Sequence, residues 1–109
     1  SKPTLSKNGY AKKIMSYNTS GALVEKAFFG VDGKPLLFKG DFAKIKIAYD
    51  TRGNLIERSF FGIDGKPTTN KYGYARIRME FDDHSNLIKS SRFDIYGKLI
   101  KKRSYDKIR

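Results

Sequence analysis

The chain holds one histidine, His84, and it stands beside Asp82 and Asp83. An Asp-Asp-His cluster is the sharpest chemical possibility in the sequence, and the chemistry would be metal binding. A metal site needs three or more convergent ligands and a supporting shell of hydrogen bonds. The positions 32 residues earlier are Asp50, Thr51 and Arg52, which do not repeat the set. His84 therefore reads as part of a turn. Asp32 and Asp64 invite a reading as paired carboxylates, but each precedes a glycine, and Asp-Gly is turn chemistry. Glu25 and Glu57 align, whereas Lys89 breaks that series. The Gly-Lys-Pro stretches lack the spacing of a phosphate loop. A Ser–His–Asp arrangement has only His84 as a possible base. Cysteine is absent, which removes thiolate zinc sites, a Cys nucleophile and disulfides. No catalytic residue, metal site, cofactor or small-molecule substrate is expected.

The basic residues carry more information. Lys and Arg number 23 against 11 Asp and Glu, a net charge of +12, and several recur in register. Lys7, Lys39, Lys71 and Arg103 form one ladder. Lys2, Lys34, Lys66 and Lys98 form a second. Lys12, Lys44 and Arg76 form a third, and aromatic residues at Tyr10, Phe42 and Tyr74 accompany them. Cationic residues in register suit an anionic polymer (nucleic acid, teichoic acid, lipopolysaccharide or an acidic glycan); beside aromatics they would fit single-stranded nucleic acid, which uses charged grooves and stacking platforms, though no RNP-type, zinc-finger or helix-turn-helix signature is present. The plainer reading is that exposed Lys protects strand edges from aggregation and that charge keeps a strand-rich chain dispersed. Ladders spaced by about 10 Å would be partly screened at physiological salt, so such stripes are tolerable without a ligand.

The elements that must position these ladders come from a repeat. Residues 2–33 and 34–65 are identical at 16 of 32 positions, without insertion or deletion. The units run 2–33, 34–65 and 66–97, with 98–109 as a partial repeat or C-terminal cap. Ser1-Lys2-Pro3 enters a unit midway, so a longer parent array is expected. Within a unit, Ala43, Ile45, Ile47 and Tyr49 alternate with Lys44, Lys46, Ala48 and Asp50. Alternation of period two marks a half-buried strand. Asp50-Thr51-Arg52-Gly53 and Asn18-Thr19-Ser20-Gly21 carry a type I turn signature. A second strand follows at 55–61, ending in an aromatic pair with one ring on each face. Asp64-Gly65 predicts a hairpin whose residues accept positive φ. Pro67 cannot donate to a ladder, so 67–71 is expected to be a short edge piece or an irregular return. No segment has helical spacing, and no apolar stretch is long enough to span a bilayer.

A single hairpin cannot bury its aromatics, whereas stacked units can. The expected fold is all-β, an antiparallel meander of tandem 32-residue repeats forming an elongated twisted sheet or half-pipe, with a compact sandwich as competitor. Phe29, Phe61 and Phe93 are expected side by side, with Tyr17, Tyr49 and Phe81 nearby.

The segment Tyr49-Asp50-Thr51-Arg52-Gly53-Asn54-Leu55-Ile56 resembles the Tyr-Asp repeats of bacterial Rhs-type shell proteins. The longer unit, through Phe60-Phe61-Gly62 and Asp64-Gly65-Lys66-Pro67 to Gly73-Tyr74-Ala75, is similar to other bacterial tandem hairpin repeats. It resembles MORN and WG repeats more loosely, and the MORN Gly-x-Gly-x-Tyr-x-Gly pattern is missing. Rhs shells are far larger and use shorter units, so an enclosing shell is not implied. What the resemblance implies is a bacterial, non-catalytic interaction array, in the cytoplasm or on the cell surface as part of a larger protein. The expected function is a binding or scaffold module acting through a repeated surface, with a protein partner or the parent chain placed first. Electrostatic binding of a polyanion (nucleic acid, acidic glycan or cell-envelope polymer) is the alternative.

Overall fold

A computed structural model of the chain describes residues 9–105. Seven strands, β1 Lys12–Tyr17, β2 Leu23–Phe29, β3 Lys44–Tyr49, β4 Leu55–Phe61, β5 Arg76–Phe81, β6 Leu87–Phe93 and β7 Leu99–Ser104, lie side by side in sequence order. Every neighbouring pair is antiparallel. The described residues contain no helix, and the sheet does not close into a barrel. The radius of gyration is 16.1 Å with extents of 57 × 31 × 21 Å, against roughly 13 Å for a compact domain of this size. This is the elongated meander; a sandwich would have been rounder.

The repeat is visible in the backbone. The ladder slips between Ser16 and Tyr17, between Ala48 and Tyr49, and between Glu80 and Phe81, at the same step of each unit, and the third unit slips again between Arg92 and Phe93. Each of the three equivalent slips abuts a turn in which Gly21, Gly53 or Ser85 donates to the carbonyl of Asn18, Asp50 or Asp82 at 3.0–3.1 Å. The side-chain oxygen of that first residue accepts two more backbone amides, as with Asn18 from Ser20 and Ala22 and Asp82 from His84 and Asn86. His84 thus contributes its backbone to the third copy of a turn.

The Asp-Gly turns differ from expectation in one respect. Gly33 and Gly65 have φ of 79° and 78°, while Asp32 and Asp64 keep negative φ. One left-handed residue, not two, closes each turn. The aspartate carboxylates accept the amides of Lys34 and Lys66 at 3.0 and 2.9 Å. After the turn, Pro35 and Pro67 each make a single bridge, to Phe29 and Phe61, and the chain leaves the sheet. Segments 36–42 and 68–74 are the irregular returns, because a proline without an N–H ends the ladder. In the last unit Leu99 stands where those prolines stood, and the strand continues as β7.

Opposed residues of an antiparallel pair share a face. Phe28, Ile45, Phe60 and Ile77 share one, and there the core lies. Phe28 and Phe60 are 2% and 6% exposed. The shared interior is therefore built on the first ring of each Phe-Phe pair, where Phe29, Phe61 and Phe93 had been expected. Those three lie on the opposite face, each opposed to a cation, and are half-buried. The core side is the one on which the irregular returns lay further rings, so burial favours it. Tyr17, on an outer strand, is 55% exposed, but Tyr49 donates to the Leu23 carbonyl at 2.7 Å and links two units.

Candidate functional site

The ten residues singled out by the ladders separate. Lys7 lies outside the described residues. Lys12, Lys44 and Arg76 stand opposite Phe29, Phe61 and Phe93 on the face away from the core. Arg76 caps the Phe93 ring at 4.5 Å. Tyr10, Phe42 and Tyr74 are on the core face, packed against Phe28 and Phe60. The third cationic ladder and the aromatic ladder therefore do not form one surface. Arg103 stands on β7 opposite Ser90, outside the groove described next. Lys34, Lys66 and Lys98, of the second ladder, each donate a backbone amide to a turn aspartate.

Four of the ten do converge. Lys39, Lys71, Phe42 and Tyr74 line one groove of about 520 Å³ on the core face. The loops that return to β3 and β5 bring them there. The first loop tightens at Lys39 and Gly40, both with positive φ (51° and 74°), so that Phe38 and Phe42 bond across it. In the next unit Asn70 takes the Phe38 position and folds its side chain inward. Its Oδ1 accepts the amides of Tyr72 and Tyr74 at 3.0 and 3.2 Å, and Asn70 is 6% exposed. The Asp41 carboxylate accepts the Lys71 amide at 2.9 Å and ties one loop to the next. The amines of Lys39 and Lys71 lie over the rings of Phe38 and Tyr72 at 5.4 and 5.2 Å, which keeps both charges at the rim.

The floor adds Arg58 and Phe60, neither of which the ladders had marked. Arg58 escaped notice because its aligned residues are Lys26 and Ser90, a broken series. The usable signal was its alternation with Phe60, which puts both on one face. Arg58 is opposed by Ile47 and Ile77, so its stem is packed. Its Nε is buried and has no hydrogen-bond partner among the described residues. An unsatisfied buried donor costs about 1–3 kcal/mol.

Charge is distributed unequally across the sheet. The strands carry three carboxylates, Glu25, Glu57 and Glu80, and all lie on the face away from the groove. There they meet cations: Arg78 Nε is 3.6 Å from Glu57, Lys89 Nζ is 3.4 Å from Glu80, and Glu25 opposes Lys46. The groove face carries Lys13, Lys26, Arg58, Arg92, Lys101 and Arg103 and no strand carboxylate. Arg92 lies over Tyr74 at 5.3 Å. At the β7 end the phenol of Tyr105 is held below its ordinary pKa, chiefly by a hydrogen bond with Ser90, against a smaller opposing effect of burial and with help from Arg103 and Arg92.

No known protein-family profile matches the chain, and no curated protein is similar to it. The described residues contain no helix long and apolar enough to cross a membrane.

Proposed function

We propose that the chain is a non-catalytic binding module whose groove face takes an extended polyanion. The observation that carries this is the convergence of Lys39, Lys71, Phe42 and Tyr74, from adjacent units, on a groove that Arg58 also lines. The absence of strand carboxylates from that face supports the same reading, and Asp41, whose carboxylate accepts the Lys71 amide, is the one acidic residue lining the groove. Binding would be multivalent, with weak contacts summed across units. The resemblance to bacterial tandem hairpin arrays fits a surface that works by repetition.

The test is fluorescence anisotropy of a labelled single-stranded oligonucleotide over a salt series. Affinity should fall steeply with salt, because each neutralised phosphate releases counterions. Replacing Lys39 and Lys71 together with Glu should abolish binding; unchanged affinity would reject the groove.

A second reading, a protein-binding scaffold, is favoured by the outer strands. Ile14, Met15 and Tyr17 on β1 and Leu99 and Ile100 on β7 are 37–55% exposed. That reading calls for a partner whose binding tolerates salt and depends on those apolar residues.

A further inference from the structure

Phe28 touches three rings: Tyr10 at 5.2 Å, Phe42 at 6.0 Å, and Phe38, which stacks on it at 4.4 Å with 11° between the planes. Thirty-two residues on, Phe60 touches two, Phe42 at 5.2 Å and Tyr74 at 5.9 Å. The second unit lacks the stacked ring because Asn70 stands at the Phe38 position and folds into its own loop. The same loop has gained a ring elsewhere. Tyr72 stands where the preceding loop has Gly40, and it is 72% exposed. Its amide donates to Asn70 Oδ1 at 3.0 Å and the Lys71 amide donates to Asp41, so the backbone beneath the ring is held from both sides. From one loop to the next, a ring has passed from a packed position to the lining of the groove.

We propose that Tyr72 is a stacking platform for an unpaired base, so that the polyanion in the groove is single-stranded nucleic acid. Phe60 and Tyr74, each 6% exposed, are wall and offer no free face. Tyr72 does offer one, since the Lys71 amine over its ring at 5.2 Å can cover one face only. The two parts of a nucleotide therefore meet suitable chemistry at neighbouring residues. The exposed amines of Lys39 and Lys71 suit phosphates, and the ring of Tyr72 suits a base. A polyphosphate or a teichoic acid has no flat ring to offer and would use the amines alone. A duplex keeps its bases stacked on one another, so an exposed platform favours a single strand. Every base has a π-face, so the platform tolerates sequence. This inference rests on the polyanion reading above and adds the base to the backbone.

The experiment compares oligo-dT with a fully abasic strand of equal length and charge, against the whole chain by fluorescence anisotropy. The readout is the ratio of the two affinities, which should favour oligo-dT by roughly 5- to 150-fold, the range that one aromatic–base stack supplies. Tyr72→Phe keeps the ring and should keep the ratio, whereas Tyr72→Leu should bring it to about one. Tyr96 provides the control: it is 86% exposed and its amide donates to the aspartate heading its own turn, but it does not line the groove. Tyr96→Leu should leave the ratio unchanged. None of the three substitutions alters the net charge of +12. Equal binding of both strands by the unaltered chain would overturn the platform and leave the polyanion reading standing. Binding of neither strand would overturn both. A ratio that survives Tyr72→Leu, that is lost in Tyr72→Phe, or that falls as far in Tyr96→Leu would also overturn the platform.

Discussion

Substituting Phe28 and Phe60 separately with Leu measures how differently two aligned positions are packed. Leu keeps most of the apolar volume and removes the ring. Phe28 touches three rings and Phe60 two, the additional one being the stacked Phe38. An aromatic pair contributes about 0.5–1.5 kcal/mol beyond its buried area. Phe28→Leu should therefore cost about 1 kcal/mol more than Phe60→Leu, a difference of about 4–8 °C in Tm for a domain of this length. Urea denaturation followed by circular dichroism is the assay, with unchanged slopes confirming that both variants alter stability and not compactness. A double-mutant cycle of Phe28→Leu with Phe38→Leu should return a coupling in the same range as one ring pair. A cost for Phe60→Leu equal to or above that for Phe28→Leu, or zero coupling in the cycle, would refute the claim that the second unit lacks a ring.

Other substitutions test the links between units and the turns. Tyr49→Phe removes the bond to the Leu23 carbonyl at 2.7 Å and should cost about 1 kcal/mol, while Tyr17→Phe, on an exposed outer strand, should change stability by less than about 0.5 kcal/mol in the same urea assay. Gly53 has a φ of 87° with open space where a Cβ would lie, so Gly53→Ala should cost about 1–2 kcal/mol from backbone strain alone. Asp50 has its carboxyl pKa below the ordinary 3.8: burial pushes it up, but the amide and side chain of Asn54, then Arg52, outweigh that. With the folded value below the unfolded one, its contribution is full above the unfolded pKa and is lost as pH falls through the folded one. Asp50→Asn, which mimics Asn18 in the first unit, should remove that acid-side loss, which sets in as pH falls below the ordinary 3.8 of an unfolded aspartate.

The period, the alternation at 43–50 and 75–82 and the turn residues were sufficient to read the meander, because strand register follows from a period of two and from turns that admit left-handed residues. The identity of the buried ring was not legible. Phe28 and Phe29 are the same residue type on opposite faces, and only the loops at 36–42 and 68–74, which are irregular and carry no periodicity, decide which face receives more rings. Half of the site was legible for the complementary reason. Lys39, Lys71, Phe42 and Tyr74 recur in register and do meet, whereas Arg58 and Asn70, which also line the groove, depart from the repeat. A search for equivalence passes over such positions. The Lys12, Lys44 and Arg76 ladder shares one strand face, but it is the other face from the aromatics, since the loops at 36–42 and 68–74 re-aim Phe42 and Tyr74.

The groove face is tested most directly by two variants of equal charge change. One carries Lys39→Gln, Arg58→Gln and Lys71→Gln; the other carries Lys12→Gln, Lys44→Gln and Arg76→Gln, and each takes the net charge from +12 to +9 (12 − 3). The measurement is the slope of log affinity for single-stranded DNA against log salt, which is about 0.7 per phosphate neutralised. The first variant should flatten the slope by roughly 2, and the second should leave it unchanged. Equal flattening by both, or flattening by the second alone, would contradict a ligand seated in the groove.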